Sequence, residues 1–295
     1  MFTLAASRVV LIVVLTTGLS AQQGASPSNG TTQQLKAKSP EKKTSQYRED
    51  AWKVLWMGLR HAKPSNRRDA VKALSLLPGD RTAIREAVTA LSDPDDKVRT
   101  AAAVTLGQLN AKSAIPALKD ALSDDDVRVM LAAAHSLYVL KDPSAYDIYY
   151  AILMGDKKAS NSPLQEQINR LKDPKQLFEI GLQEGLGVVP YGGMGYEAYK
   201  ELLKHDNAPV RAAAARILAL DPDSITEDAL VQTALADKNT IVREAALDAL
   251  AQRGDPRCIE RLQMNLHDEK YAIRYRTAAA ILELSRAHRR RPSSR

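Results

Sequence analysis

The chain has 295 residues, a single cysteine and a formal charge of +7. One cysteine excludes an intrachain disulfide, and a positive balance points to nucleic acid only if the basic residues gather on a folded surface. They gather at the ends instead: residues 22–46 hold four Lys against Glu41, residues 286–295 hold five Arg, and Arg8 lies near the start, which leaves 47–285 at about −2. No specific nucleic-acid partner is expected, and weak contact between the two ends and an anionic surface is the most that the charge supports.

Taken in chain order, Arg8 precedes the apolar run of residues 9–15, which ends in the polar, small-residue stretch Thr16-Thr17-Gly18-Leu19-Ser20-Ala21. That is the anatomy of a signal peptide over residues 1–21, and the run is far shorter than the ~20 residues a spanning helix needs. The expectation is a secreted or periplasmic protein whose mature chain begins near Gln22, with no integral membrane span after cleavage. Residues 22–46 are rich in Gln, Ser, Thr, Lys and Gly, bury almost nothing, and read as a disordered linker. Residues 286–295 read as a basic disordered tail.

Between these ends, from 47 to 285, a leucine, an acid two residues on, an aliphatic five further and an arginine recur about every thirty-one residues. The copies are Leu91, Asp93, Val98, Arg99; Leu122, Asp124, Val129; Leu235, Asp237, Val242, Arg243; and Leu266, Asp268, Ile273, Arg274. Two copies carry His in place of the acid, at His61 before Asn66 and Arg67, and at His205 before Val210 and Arg211. Each unit supplies two helical patterns split by Pro, Gly or Asp, so the period implies a stack of helix pairs.

The second helix of each unit carries the clearer stripe. Val98, Ala102, Thr105, Leu106 and Leu109 share one helical face, as do Val129, Ala133, Ser136, Leu137 and Leu140, and Ile273, Thr277, Ala280, Ile281 and Leu284. These faces predict the core, and runs such as Ala101 to Ala103 let neighbouring helices approach closely. Asp93, Asp124, Asp237 and Asp268 are expected to cap helix N-termini. Arg99, Arg211, Arg243 and Arg274 should form a ladder that reaches the acidic turn of their own or the adjacent unit.

The motif Asp-x-x-x-x-Val-Arg-x-Ala-Ala-Ala-x-x-Leu at Asp93 to Leu106 resembles the HEAT-like repeats named after phycobilisome lyases. The likeness covers 47–142 and 203–285; Met130, in place of an arginine, and the irregular segment 143–202 depart from it. It implies an all-α, right-handed α-solenoid of about seven HEAT-like helix pairs with a Gly-rich irregular insertion. Members of that class are mostly protein-binding scaffolds, with enzymes a minority.

The insertion holds the Gly-rich loop 185–196, whose Tyr191, Met194 and Tyr196 are candidate partner contacts. Gly193-Met194-Gly195 resembles part of a dinucleotide fingerprint, but that motif needs a preceding strand. Members of the class with a di-iron site build it from His-Glu pairs, and none of the five histidines here is followed by Glu. No cofactor, metal or catalytic residue is therefore expected.

A groove is expected where the second helices turn away from the core, at the second and sixth residues after the aliphatic position. This names Arg68, Lys72, Thr100, Val104, Leu131, His135, Arg216, Glu244, Asp248 and Tyr275, running from basic through apolar to acidic. The expectation is a non-enzymatic exported scaffold that binds a protein partner of unknown identity or supports assembly in the cell envelope. The rivals are an extracytoplasmic enzyme or cofactor-handling protein, and a purely structural envelope component.

Overall fold

A computed structural model of the chain describes residues 40–146, Tyr149 and 208–290. The expected signal peptide, most of the linker and the loop holding Tyr191, Met194 and Tyr196 lie outside the described residues. Among those described, all regular structure is helical, in the order α1 (Pro40–Leu59), α2 (Pro64–Ala73), α3 (Arg81–Ala90), α4 (Asp96–Gln108), α5 (Ile115–Asp120), α6 (Val127–Val139), α7 (Ala208–Leu218), α8 (Ser224–Ala236), α9 (Thr240–Arg253), α10 (Ile259–Leu262) and α11 (Tyr271–Arg290). They form an α-solenoid: α1/α2, α3/α4, α5/α6, α8/α9 and α10/α11 are the repeating pairs. Within these residues no helix is long and apolar enough to cross a membrane.

Two boundaries differ from the sequence reading. The first helix starts at Pro40, because proline suits the opening turn of a helix and Lys53 pairs with Glu49 one turn earlier. At the other end α11 continues to Arg290, held by Arg286, which bonds the Glu283 carboxylate at 2.9 Å and the Pro78 carbonyl at 3.0 Å.

The stripes named above are buried in all three helices. Two of their hydroxyls tie successive second helices together: Thr105 donates to the Val71 carbonyl at 3.2 Å and Ser136 to the Ala103 carbonyl at 2.7 Å. Gly107 allows this approach, since a Cβ there would stand 2.6 Å from the Ser136 hydroxyl.

The capping expectation is corrected by two residues. Asp95 caps α4 by accepting from the amides of Lys97 and Val98, Asp126 caps α6 through Arg128, and Asn239 caps α9 through Ile241. Asp93, Asp124, Asp237 and Asp268 instead accept the amide two residues on, at 2.8–2.9 Å, which folds the turn and leaves carboxylate oxygens for arginine. The ladder is built on those oxygens. Arg67 holds Asp93 with two bonds of 2.7 and 2.8 Å, and Arg99 holds Asp124 with 2.8 and 2.9 Å. Arg211 pairs with Asp237 through Nη1 and Arg243 with Asp268 through Nη2, the Nε of Arg243 donating instead to the Ala234 carbonyl at 2.9 Å. Arg67 and Arg99 also donate to carbonyls of their own turn, at His61 and Asp93, so each cation fastens its unit to the next.

The order of the stack is not the order of the chain. The second helices form a row α7–α9–α11–α2–α4–α6, so the last unit packs on the first as though it were the preceding repeat. The tightest packing at this seam is between α1 and α11: a Cβ on Gly58 would fall 2.5 Å from a ring carbon of Tyr275. The ladder changes there. His61 stands where an acid stands elsewhere and accepts the Lys63 amide at 3.0 Å, as Asp93 accepts that of Asp95. Arg274 lies over the Tyr271 ring at 4.7 Å, and that ring meets His61 edge-on at 5.5 Å.

Candidate functional site

Because the row joins its units at the seam, five second helices border one open cavity of ≈ 500 Å³. Its walls are Asp69 and Lys72 from α2, Ser75 just after α2, Ala101, Val104 and Gln108 from α4, Arg216 from α7, Ile241, Glu244 and Asp248 from α9, and Ala272 and Arg276 from α11. Helices separated by more than a hundred residues in the chain thus share one site. Volume and mixed lining both fall in the range of ligand and peptide sites.

Arg276 is the organising cation. It bonds the Asp248 carboxylate, the Lys72 carbonyl at 3.0 Å and the Ser75 hydroxyl at 3.2 Å, and so closes the seam inside the cavity. Asp69 is held by its neighbour Arg68 at 3.1 and 3.2 Å. Glu244, one turn before Asp248 on α9, has no hydrogen bond or ion pair to a described residue. Burial pushes its carboxyl above the ordinary glutamate value; the charges of Asp248 and Asp69 add to the rise, against Arg276 and Lys72.

The expected groove residues divide into three groups. Lys72, Val104, Arg216, Glu244 and Asp248 line the cavity. Thr100 and Tyr275 do not: both are buried, Thr100 donating to the Asp96 carbonyl and Tyr275 packed on Gly58. Arg68, Leu131 and His135 are half-buried outside the lining, and burial lowers the His135 pKa. The physical reason is rotation. Positions one before and three, six and ten after the aliphatic residue share the cavity face, whereas the second position lies at its margin: it turns toward the adjacent helix at Thr100 and Tyr275 and reaches the cavity at Glu244. The expected polarity also changes, since the seam brings α2 into the same cavity as acidic α9 and gives a mixed cluster rather than a gradient. Sequence reasoning missed Asp69 and Arg276, whose only signal was their place three residues after the aliphatic position.

Away from the cavity, Cys258 is 1 % exposed, donates to the Asp255 carbonyl and has its thiol pushed up to about 12 by burial and the charges of Glu227 and Asp255. A thiol in that state is a poor nucleophile. No cluster of three or more His, Cys, Asp or Glu that could hold a metal occurs among the described residues.

The family model for HEAT repeats matches residues 53–138, 84–157 and 197–283, which together exceed half of the chain. No curated protein matches the sequence. Among solved structures, human deoxyhypusine hydroxylase in complex with glycerol is similar at 18% identity and a TM-score of 0.32, covering 83% of this chain and 98% of that one. The complex of CpcE and CpcF of phycocyanin lyase from a Nostoc species is similar at 21% identity and a TM-score of 0.31, covering 88% of this chain and 100% of that one. The expectation of a non-enzymatic chain is corrected on this point: the neighbours include a hydroxylase and a lyase, so a helical-repeat architecture does not decide against catalysis. With three matches to one repeat model and the stacked pairs that the model implies, the chain belongs to the HEAT-repeat family.

Proposed function

We propose that the chain is a binding scaffold whose shared cavity receives a segment of a protein partner, and that it works after export. HEAT repeats commonly mediate protein interactions, and one observation supports a contact here: helices from both ends of the chain converge on an open, charged cavity. Such a site exists only in the assembled stack, which suits recognition that depends on the whole scaffold. Export rests on the arrangement of residues 1–21, and mass spectrometry of material secreted from its own cell should then find a mature terminus near Gln22.

The experiment is recovery of partners from the envelope fraction with the full chain and with Val104→Trp, which fills the cavity from α4. A protein recovered by the first and lost by the second supports the reading, provided the variant melts cooperatively near the wild-type temperature. Equal recovery by both overturns it.

A catalytic reading has a specific observation in its favour, the raised carboxyl of Glu244 in a polar cavity. In that reading the protonated acid donates to a bound substrate. Turnover of a small molecule from the envelope extract that stops in Glu244→Gln would establish it.

A further inference from the structure

Glu244 differs from the other acids of the cavity in one respect. Asp248 is held by Arg276, Asp69 by Arg68, and Arg276 is further engaged by a carbonyl and a hydroxyl, whereas Glu244 has no hydrogen bond or ion pair to a described residue. Its carboxylate is half-buried, so water compensates it poorly, and Arg276, the opposing charge that acts on it most, bonds Asp248. Apolar side chains share the lining with it: Ile241 three residues before it on the same helix, Ala272 on the adjoining α11, and Ala101 and Val104 on α4. An unpaired acid in a cavity that also offers apolar surface matches a side chain with a long methylene stem and a cationic head, which buries the stem while the head finds its counter-charge.

Building on the partner-binding reading above, we propose that this cavity recognises an extended polypeptide through one Arg or Lys side chain, whose stem lies along Val104 and Ile241 and whose head bonds Glu244. A polypeptide fits better than a free amine because the lining continues past Glu244 to Arg216 on one side and Gln108 on the other, leaving room for backbone on both sides of the inserted residue. The alternation of charge along that path, with Arg216 and Lys72 flanking the acids, also disfavours a uniformly basic ligand. One basic residue among neutral or acidic neighbours is the sequence that fits.

The test uses calorimetric titration of the full chain with two capped pentapeptides, Gly-Ala-Arg-Ala-Gly and the same peptide with citrulline for arginine, an isostere lacking the charge. The arginine peptide should saturate the protein and bind at least ~10-fold more tightly than the citrulline peptide. In Glu244→Gln that ratio should fall to near one, with an unchanged melt at acidic pH showing that the variant is folded. Equal affinity for both peptides, a ratio that survives in Glu244→Gln, or no saturation by either overturns the proposal. Agmatine binding as tightly as the arginine peptide would also overturn it, assigning the site to small amines. If the peptide ratio is absent while Val104→Trp still loses its partner, this inference fails and the scaffold reading stands; if the ratio is present and Val104→Trp keeps its partner, the reverse holds.

Discussion

Replacing Gly58 by alanine tests the seam directly. A Cβ at that position would lie 2.5 and 2.6 Å from two ring carbons of Tyr275 and 2.8 Å from the Cβ of Ala70, where carbon atoms ordinarily rest at about 3.5–4.0 Å. The ring can tilt, but it is 2 % exposed and packed on every side, and the Ala70 carbon has no rotation to offer. Overpacking of that kind costs ~1–3 kcal/mol, here toward the upper end, and a helical Gly→Ala change returns ~1 kcal/mol. The net loss should be about 2 kcal/mol, or ~4–8 °C in melting temperature for a chain of this size. Tyr275→Ala alone should cost ~3–5 kcal/mol through the cavity that it leaves. Together the two should cost at least ~1 kcal/mol less than their sum, because the missing ring makes room for the added methyl. Thermal and urea melts of the four proteins decide it. A Gly58→Ala protein as stable as wild type, or two losses that simply add, would mean that α1 does not pack on α11.

Arg99→Ala removes two bonds to Asp124 and those to the Asp93 and Pro94 carbonyls in a pair that is 18 % and 13 % exposed, so a urea melt should show a loss of ~1–3 kcal/mol; a loss below about 0.5 would reduce the ladder to surface decoration. Burial pushes Asp93 up, but the Arg67 bonds, the Asp95 amide and the charge of Arg99 outweigh it and hold the carboxyl below its usual value. Its contribution is therefore complete above the unfolded carboxylate pKa and is lost as pH falls through the lower folded value, so Asp93→Asn should destabilise at neutral pH and converge on wild type in strong acid. Glu244 has the opposite sign: its raised carboxyl penalises the folded state once pH exceeds the unfolded value, so Glu244→Gln should raise the melting temperature at about pH 7 and leave it unchanged at about pH 4. Cys258 should resist iodoacetamide in the native protein and react fully in denaturant, followed by mass; fast native labelling would contradict its burial.

The period of the sequence was enough to give the fold class, because a repeat writes its buried face in every copy and Val98, Val129 and Ile273 align without structure. Ala102 and Ala133 show the same legibility for close helix approach. Local chemistry was less clear: Asp93 and Asp95 both flank the start of α4, and only the Arg67 bond decides which acid caps the helix and which serves the ladder. The site was partly legible. Lys72, Val104, Arg216, Glu244 and Asp248 follow from helical register, whereas Tyr275 was misplaced because its position faces a neighbour supplied by the seam. The seam itself leaves almost no trace, since the surface that one repeat offers to the next is the same wherever the chain is cut. His61 is the exception: it occupies an acid's place in the unit that Arg274 adjoins, and that substitution marks where the ladder is interrupted.

Because the row joins its last unit to its first, α1 cannot find its partner until α11 has been synthesised, more than two hundred residues later. An ordinary solenoid grows by adding neighbours as they emerge, with contacts that are short in sequence. Here the central joint of the row has the largest loop to close, which raises contact order and places that step late in folding. Until then the apolar flank of α1 that meets Tyr275 stays uncovered, a surface open to a holding chaperone while the chain is still extended.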